Sequence, residues 1–260
     1  MDIKAKKSLG QNFLIDNNVI KEIVECANIE DREVLEVGPG TGSLTKEIIE
    51  KKPKKVFLIE KDMALLENLK KKLHYNLEFI NKDILSVDET KLTKEKLIVF
   101  GNLPYNISTE ILTKWILNIK SSFWFEKLIL MFQKEVADRI ISTHNMSNYG
   151  RLSIISNWKL NIKKVIDIKP ISFSPKPKVN STLLIFTPKE GYSKICSESS
   201  LEKVTRIFFN QRRKKIKKPF NQLFSNSEEV AKKLNIDLNL RPQNLSYKTY
   251  LSLANEYDNL

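Results

Sequence analysis

Residues 34–44 have the sequence Val34-Leu35-Glu36-Val37-Gly38-Pro39-Gly40-Thr41-Gly42-Ser43-Leu44, which indicates the fold class. An apolar run leads into a glycine-rich turn, and the apolar spacing after the turn predicts a helix from Thr41 to Lys51. A strand, a tight turn and a helix in this order are typical of the first βα unit of a doubly wound sheet. The sequence therefore predicts an α/β fold of the Rossmann-like type.

The spacing of the glycines separates two classes of ligand. Dinucleotide-binding turns have the pattern Gly-x-Gly-x-x-Gly, whereas here position 43 is Ser and the third glycine is Gly42. The pattern Glu-x-Gly-x-Gly-x-Gly is typical of a different glycine turn, in which the backbone at Gly38 and Gly40 comes close to the methionine and ribose of S-adenosylmethionine. The alternative is a turn that only connects a strand to a helix.

Two acidic residues follow the next two predicted strands. The second strand, Val56 to Glu60, ends in a carboxylate that is placed to accept hydrogen bonds from the ribose hydroxyls of a cofactor. Asp83 follows the third strand, Leu77 to Ile80, and is placed to accept a hydrogen bond from the amino group of the cofactor adenine. A cap or turn role is the alternative for Asp83.

The fourth predicted strand, Leu97 to Phe100, continues into Gly101-Asn102-Leu103-Pro104-Tyr105-Asn106. The Asn102 amide offers two donors and an acceptor, Pro104 stiffens the loop, and Tyr105 adds a flat ring. Asn-Leu-Pro-Tyr fits the [Asn/Asp/Ser]-Pro-Pro-[Tyr/Phe] type of motif in methyltransferases that act on exocyclic amines of nucleobases. The alternative is that Asn102 only satisfies its own loop, but four strand ends at one sheet edge favour a site.

A second aromatic candidate lies in Phe173-Ser174-Pro175-Lys176-Pro177-Lys178-Val179. This segment separates two predicted strands, Lys159 to Ile168 and Val179 to Thr187. The two prolines hold it extended, so Phe173 is expected to be presented rather than buried and to sandwich a base together with Tyr105. The alternative places Phe173 in the core under the loop.

The sequence changes character after Pro188. Residues 191–200 are polar, and the pattern from Leu201 onward is helical, which predicts an α/β domain over 1–190 and a small all-α domain over 191–260. A basic helix with aromatic residues is expected in the second domain to contact nucleic-acid phosphates. A solvated face and a membrane surface are the alternatives. The basic residues assigned to this contact are Arg206, Arg212, Arg213, Lys214, Lys215, Lys217 and Lys218.

Composition limits the partners. The net charge of 44 − 31 = +13 favours polyanions such as nucleic acid, although a lysine-rich bias is an alternative. The longest apolar run, Leu128 to Phe132, is far too short for a membrane span. Cys26 and Cys196 have no metal-binding spacing, so free thiols in a reducing cytoplasm are expected. At the other end, the basic segment 1–15 carries Phe13 and Leu14 and is expected to fold over the site.

Eight segments occur in an order that one family shows. They are Gly-Gln-Asn-Phe-Leu (10–14), Glu-Val-Gly-Pro-Gly-Thr-Gly (36–42), Ile-Glu-Lys-Asp (59–62), Asn-Leu-Pro-Tyr-Asn-Ile-Ser (102–108), Gln-Lys-Glu-Val-Ala-Asp-Arg (133–139), Tyr-Gly-Arg-Leu-Ser (149–153), Phe-x-Pro-x-Pro-Lys-Val-x-Ser (173–181) and Phe-Asn-Gln-Arg-Arg-Lys (209–214). From Lys6 to about Leu253, the chain resembles the small-subunit rRNA adenine dimethyltransferase family of the bacterial KsgA type.

The resemblance implies a function and a set of site residues. The family uses S-adenosylmethionine to dimethylate N6 of two adjacent adenosines in a hairpin loop near the 3′ end of small-subunit (16S) rRNA, on a late assembly intermediate. The resemblance also implies a cytoplasmic monomer without a metal, whose partner is the assembling 30S-type subunit. The implied catalytic set is Asn102, Leu103, Pro104, Tyr105 and Phe173, and the implied cofactor set is Asn12, Leu14, Gly38, Gly40, Glu60, Asp83 and Asn102.

Two other functions fit parts of the sequence. The large-subunit rRNA adenine methyltransferases of the macrolide-resistance type share the Asn-x-Pro-Tyr core, but the segments at 173–181 and 209–214 favour the small-subunit kind. A non-catalytic RNA-binding assembly factor on the same scaffold is the other alternative, against which the intact Glu60, Asp83, Asn102 and Tyr105 count.

Overall fold

The computed structural model describes residues 5–6, 10–120, 122–195 and 197–260. The expectation for segment 1–15 therefore lies outside the described residues at 1–4 and 7–9, and so does the expected free thiol of Cys196. The chain divides into two compact units, residues 1–137 with 161–188 and residues 138–160 with 189–260. Residues 138–160 thus group with the C-terminal helices, whereas the predicted boundary put them in the first domain.

The first unit combines nine strands with four helices, and a fifth helix runs across its boundary, all within the described residues. The strands are β1 (Phe13–Leu14), β2 (Glu33–Val37), β3 (Lys55–Ile59), β4 (Leu77–Ile80), β5 (Leu97–Gly101), β6 (Phe125–Gln133), β7 (Leu160–Ile168), β8 (Phe173–Ser174) and β9 (Ser181–Pro188). The helices are α1 (Asn17–Val24), α2 (Ser43–Glu50), α3 (Met63–Lys72), α4 (Ser108–Leu117) and the boundary helix α5 (Lys134–Ile141).

The strands form a sheet whose order is β4-β3-β2-β5-β6-β9-β7 and a two-stranded antiparallel sheet of β1 and β8. Strands β2 to β6 run parallel, and β9 joins β6 antiparallel. Val37 lies beside both Ile59 and Gly101, and Ile59 lies beside Ile80. The carboxyl ends of the first four sheet strands therefore meet at one edge, which confirms the predicted α/β fold.

Local sequence explains where the first helices begin. The Asp16 side chain caps α1 by accepting from the Asn18 and Val19 amides at 3.1 and 3.4 Å. Helix α2 begins at Ser43 rather than Thr41 because Gly42 has a left-handed φ of +84°. A Cβ on Gly42 would lie 2.5 Å from the Leu69 side chain, so this turn requires glycine.

The second unit is helical in its described part. Its helices are α6 (Arg151–Lys159), α7 (Glu198–Phe209), α8 (Lys217–Leu223), α9 (Ser227–Lys233) and α10 (Tyr247–Asp258). Phe208 lies at its centre, with its ring 5.6 Å from that of Phe220 and 5.5 Å from that of Tyr250.

The prediction of one basic helix in this unit is wrong. Helix α7 ends at Phe209 and α8 begins at Lys217, with a turn between them. The turn is held by backbone bonds from Lys214 to Gln211 at 2.8 Å and from Ile216 to Leu240 at 2.9 Å. Ile216 is buried by this turn, and a continuous helix would not bring its amide to Leu240. Across the described ranges, no helix has the length and hydropathy needed to cross a membrane.

Candidate active site

A cleft opens at the carboxyl ends of β2 to β5 in the first unit. It encloses about 940 Å³ of space, including the part that is open to solvent. Its lining comes from four strand ends and from the N-terminal segment. The lining residues are Gly10, Gln11, Asn12, Phe13, Val37, Gly38, Gly40, Ile59, Glu60, Lys61, Lys82, Asp83, Ile84, Asn102, Leu103, Pro104, Tyr105, Asn106 and Ile107. A cleft at this edge is where open α/β sheets bind their ligands.

The glycine turn presents bare backbone to this cleft. Gly38 and Gly40 have φ values of +71° and +57°, a left-handed conformation that side chains rarely adopt. A Cβ on Gly40 would lie 2.8 Å from the Phe13 ring. Position 40 therefore requires glycine both for its φ and for the space beside Phe13, and position 38 requires it for its φ, so both present bare backbone to the cleft.

Glu60 lies at the end of β3 and is 7% exposed. Its Oε2 accepts from the Gly40 amide at 3.3 Å and its Oε1 from the Asp62 amide at 2.9 Å. Burial raises the pKa of this carboxyl, and the two backbone hydrogen bonds oppose that rise. Since each carboxylate oxygen has two lone pairs, Glu60 keeps the capacity to accept from the two hydroxyls of a ribose.

Asp83 has both of the roles that the sequence allowed. Its Oδ1 accepts from the Leu85 amide at 3.0 Å and caps the short 3₁₀ helix Ile84–Ser86, while the residue also lines the cleft. Its Oδ2 accepts from Lys61 Nζ at 2.8 Å. That hydrogen bond is the main reason why the pKa of Asp83 is lowered, so the group is a carboxylate at neutral pH.

The Asn102 amide is oriented by the N-terminal segment. Its Nδ2 donates to the Asn12 carbonyl at 2.8 Å, across 90 residues of sequence. The Asn102 amide therefore bonds to the N-terminal segment and not to its own loop, which was the alternative role. With the donor side engaged, Oδ1 makes no hydrogen bond to any described residue, and neither does the Leu103 carbonyl. The cleft thus has two acceptors next to each other in sequence that are available to an amine.

Tyr105 is held by its hydroxyl. The hydroxyl lies 2.5 Å from Ser181 Oγ on β9, and the residue lines the cleft. Burial raises the pKa of the phenol, so it is neutral at physiological pH. Anchoring at the hydroxyl holds the ring in the cleft that Asn102 also lines.

The prediction that Phe173 is presented to a base is wrong. Phe173 is 1% exposed, belongs to the core, and is absent from the cleft lining. The reason is its pairing with Leu14 in the β1–β8 sheet, which holds the segment against the core. Leu14 is also buried and lines a smaller adjoining cavity with Glu36 and Gly38 instead of the main cleft. Phe173 therefore has the alternative role, that of a core residue beneath the loop.

Glu36 is a buried acidic residue next to the site whose importance the sequence does not predict. It is 1% exposed, and neither its Oε2 nor the neighbouring Thr45 Oγ1 has a hydrogen-bond partner among the described residues. Burial raises its pKa from 4.5 to about 8. Glu36 is therefore protonated at neutral pH. The available signal was a glutamate between apolar residues of a strand that is buried throughout.

The N-terminal strap, residues 10–14, is fastened to both sides of the cleft. Besides the Asn12–Asn102 bond, Gln11 Nε2 donates to Asp62 Oδ2 at 3.4 Å. Lys6 Nζ forms an ion pair with the same oxygen at 2.8 Å. Asp62 also follows Glu60 closely, so the strap is tied to the acidic strand end and to the amide loop. This fastening is consistent with the expected covering of the site. Asp62 lies in the family segment 59–62, but its sequence context predicts no role for it in the site.

In the second unit, the seven predicted RNA-contacting residues do not share one surface. Lys214, Lys215, Lys217 and Lys218 line an open groove, whereas Arg206 lines a separate depression. That depression also holds Arg151 and Lys203, which the sequence analysis did not select. The groove is completed by Gln211 and Asn221.

The two arginines of the turn differ in role. The Arg212 guanidinium donates to the Ser147 carbonyl, and its Nε is buried without a partner among the described residues. Arg213 is exposed. The first is therefore part of the unit's own structure, and the second is available to a partner. Over the described ranges, no cluster of three or more His, Cys, Asp or Glu side chains is arranged to hold a metal.

Sequence comparison extends over the whole chain. The family Ribosomal RNA adenine dimethylase matches residues 2–259. The chain is 62% identical over 260 residues to Ribosomal RNA small subunit methyltransferase A of Pelagibacter ubique (strain HTCC1062), covering 100% of this chain and 99% of that protein. It is 41% identical over 259 residues to the protein of the same name from Ehrlichia ruminantium (strain Gardel), covering 97% of each.

Structure comparison agrees with the fold. A dimethyladenosine transferase from Plasmodium falciparum superposes with a TM-score of 0.77 at 26% identity, covering 95% of this chain and 98% of that one. The 23S rRNA methyltransferase ErmE has a TM-score of 0.69 at 24% identity over 95% of this chain and 100% of that one, a likeness of fold. The family match over nearly the full length, together with these identities, means that the chain belongs to the ribosomal RNA adenine dimethylase family.

Proposed function

We propose that this chain uses S-adenosylmethionine to dimethylate N6 of two adjacent adenosines in a hairpin loop near the 3′ end of 16S rRNA, during late assembly of the small subunit. The observation that carries the proposal is the Asn102 amide. Its Nδ2 is engaged by the Asn12 carbonyl at 2.8 Å, so Oδ1 is left as an acceptor at the sheet edge beside the glycine turn.

The described residues fit the methyl donor. Backbone at Gly38 and Gly40 is open to the cleft, Glu60 has lone pairs for the two ribose hydroxyls, and Asp83 is an ionised acceptor for the adenine amine. When bound, S-adenosylmethionine supplies an electrophilic methyl group on a sulfonium. Asn12 and the strap close the cleft over it by their bond to Asn102.

The protein's part in the transfer is positioning. The lone pair of an adenine N6 is delocalised into its ring, so the amine is a weak nucleophile. Asn102 Oδ1 and the Leu103 carbonyl accept the N6–H bonds, which favours a more tetrahedral nitrogen and directs its lone pair toward the methyl carbon. With the donor held by Gly38, Gly40, Glu60 and Asp83, a C–N bond would form as the S–C bond breaks, and the amine proton would leave to solvent. Tyr105 stacks on the extruded base.

The test is methyl transfer to small subunits that lack the modification, with the methylated nucleotides mapped. The Asn102→Ala variant is expected to lose at least about 100-fold in rate, as removal of a preorganised polar group in an active site does. Its affinity for S-adenosylhomocysteine is expected to fall far less than its rate, because binding loses only the hydrogen bond that ties the strap to the loop. Asn76→Ala, which removes an exposed amide bonded to the Lys54 carbonyl, is the control. Robust dimethylation by the Asn102→Ala variant would contradict the proposal.

The two alternatives are separated in the same experiment. Mapping both rRNAs by primer extension distinguishes small-subunit from large-subunit methylation. The 62% and 41% identities to small-subunit methyltransferases support the former. A non-catalytic assembly factor would show binding to the subunit without transfer. Failure to bind S-adenosylhomocysteine in calorimetry would favour this last function.

The proposal extends to the partner and the setting. We infer that the second unit contacts rRNA phosphates through Arg206, Arg213 and the lysine groove. The exposure of these cations supports the RNA-binding role expected for 191–260. The chain acts on the assembling subunit as a monomer in the cytoplasm. The net charge of +13 supports a polyanionic partner.

A further inference from the structure

We propose that Lys114 is a positioning residue that fixes the cofactor-adenine side of the cleft to the helix that follows the catalytic loop. This inference rests on the proposed function, because it assigns Asp83 and Ile84 to the adenine of S-adenosylmethionine. Lys114 lies on α4, does not line the cleft, and belongs to none of the motifs that the sequence analysis singled out. Its hydrogen bonds instead connect α4 to the segment that follows Asp83.

All three protons of the Lys114 ammonium are used within one segment. Nζ donates to the Ile84 carbonyl at 2.9 Å, to the Val87 carbonyl at 2.5 Å and to Glu89 Oε1 at 3.0 Å. An ammonium group has three donors, so this arrangement satisfies it completely. The same Glu89 oxygen also accepts from Trp115 Nε1 at 2.7 Å. Two consecutive residues of α4 therefore hold one carboxylate.

The network is shielded from water. The side chains of Lys114 and Glu89 are 19% and 6% exposed, and Trp115 is 1% exposed. An ion pair with additional hydrogen bonds in such surroundings is costly to break from one side, because the remaining partner stays buried and unpaired. The two carbonyls that bond to Lys114 would lose their partner at the same time. The segment from Ile84 to Glu89 is thereby held in one position.

The network connects two parts of the cleft, the segment that carries Asp83 and the loop that carries Asn102. Ile84 directly follows Asp83, and both line the cleft. Helix α4 begins at Ser108, whose hydroxyl donates to the Tyr105 carbonyl at 3.2 Å, so the helix is continuous with the catalytic loop. Lys114 thus sets where Asp83 lies relative to the loop that carries Asn102. A shift of the segment would displace the adenine acceptor without touching the groups that receive the target base.

The test compares Lys114→Met with wild type in calorimetric binding of S-adenosylhomocysteine and of its inosine analogue, which lacks the adenine amine. Methionine keeps the apolar stem and removes the ammonium. We expect about tenfold weaker binding of S-adenosylhomocysteine, the fold-change for losing one buried hydrogen-bond partner. The preference for adenine over hypoxanthine is expected to shrink by a similar factor. In methyl transfer, KM for the donor rises while kcat changes less.

Three further variants separate positioning from damage to the fold. Lys91→Met removes an exposed lysine at the end of the short 3₁₀ helix Glu89–Lys91, where it forms an ion pair with Asp88 at 3.2 Å, and is expected to bind like wild type. Lys114→Met combined with Glu89→Leu removes both buried charges, so it is expected to recover thermal stability but not the adenine preference. Lys114→Arg keeps the charge and is expected to recover part of the affinity.

Each outcome decides between the two proposals. If wild type does not bind S-adenosylhomocysteine, the proposed function fails. If wild type binds and a folded Lys114→Met variant binds within about twofold of it with the same preference for adenine, the positioning role is wrong. If the double variant recovers the affinity and the preference completely, Lys114 acts only on stability, and the inference is overturned as well.

Discussion

At the scale of single residues, Tyr105 has two separable parts, a ring and a hydroxyl. Tyr105→Ala removes base stacking worth about 1–3 kcal/mol. It should lower kcat/KM for the RNA by the factor that corresponds to this free energy. Tyr105→Phe should cost less, because it keeps the ring and breaks only the hydrogen bond to Ser181. Ser181→Ala serves as the matched control and should reproduce the effect of Tyr105→Phe. Equal losses for the Ala and Phe variants would show that the ring does not stack.

Glu36 should give the protein a pH-dependent stability. Its pKa is raised to about 8 by burial, so from about pH 5 to about pH 8 the folded state keeps a proton that the unfolded chain releases. The free energy of unfolding contributed by this group therefore falls as pH rises and levels off above about pH 8. Glu36→Gln removes this pH dependence. The free energy of unfolding of the variant, relative to that of wild type, should therefore rise by at most about 5 kcal/mol across that range.

Urea unfolding of both proteins at several pH values measures this difference. Glu30→Gln, on an exposed residue near the start of β2, is the control and should follow wild type. A stability difference between Glu36→Gln and wild type that does not change with pH would mean that Glu36 is ionised in the folded state.

Single residues of the site were predictable where strand ends placed them. Glu60, Asp83 and Asn102 follow apolar runs, and parallel pairing necessarily brings such positions to one edge. Phe173 was not predictable in the same way, because its burial depends on pairing with Leu14 about 160 residues earlier in the chain. Proline stiffness near Phe173 says that the segment is extended but not which way the ring points.

At the scale of elements, the turn between α7 and α8 should separate structural from binding arginines. Arg212→Ala should lower the free energy of unfolding by about 1 kcal/mol, because it removes the hydrogen bond to Ser147 and half-buried packing. Arg213→Ala removes the same charge from an exposed neighbour and should change stability by less than about 0.5 kcal/mol. Thermal or urea unfolding measures both, and equal stability losses would contradict this division of roles.

Element boundaries show what local sequence could not supply. The helical periodicity around Phe208 was visible, but the break before Lys217 depends on the Ile216–Leu240 backbone bond, a contact across the unit. In the same way, Lys214 to Lys218 fit the pattern of a basic helix, and only the tertiary fold separates them from α7. Tertiary contacts override local propensity at such points.

At the scale of the whole molecule, the charge of +13 should act mainly through the lysine groove. Replacing Lys214, Lys217 and Lys218 by Gln should weaken RNA binding and reduce the slope of log K against log salt by about 2–3. The same substitution at Lys70, Lys71 and Lys72, an exposed run on α3, removes equal charge and should change the slope far less. Equal slopes for the two triple variants would mean that only net charge matters.

The bond from the Asn12 carbonyl to the Asn102 amide has a consequence for how the enzyme is handled in the laboratory. An Asn amide that loses this partner is free to flip by half a turn, which exchanges an acceptor for a donor toward the target amine. Proteolytic trimming or an affinity tag that disturbs the first dozen residues would therefore leave a preparation that folds normally, yet in which only a fraction of molecules is competent. Active-site titration, rather than protein concentration, is then the appropriate basis for its turnover number.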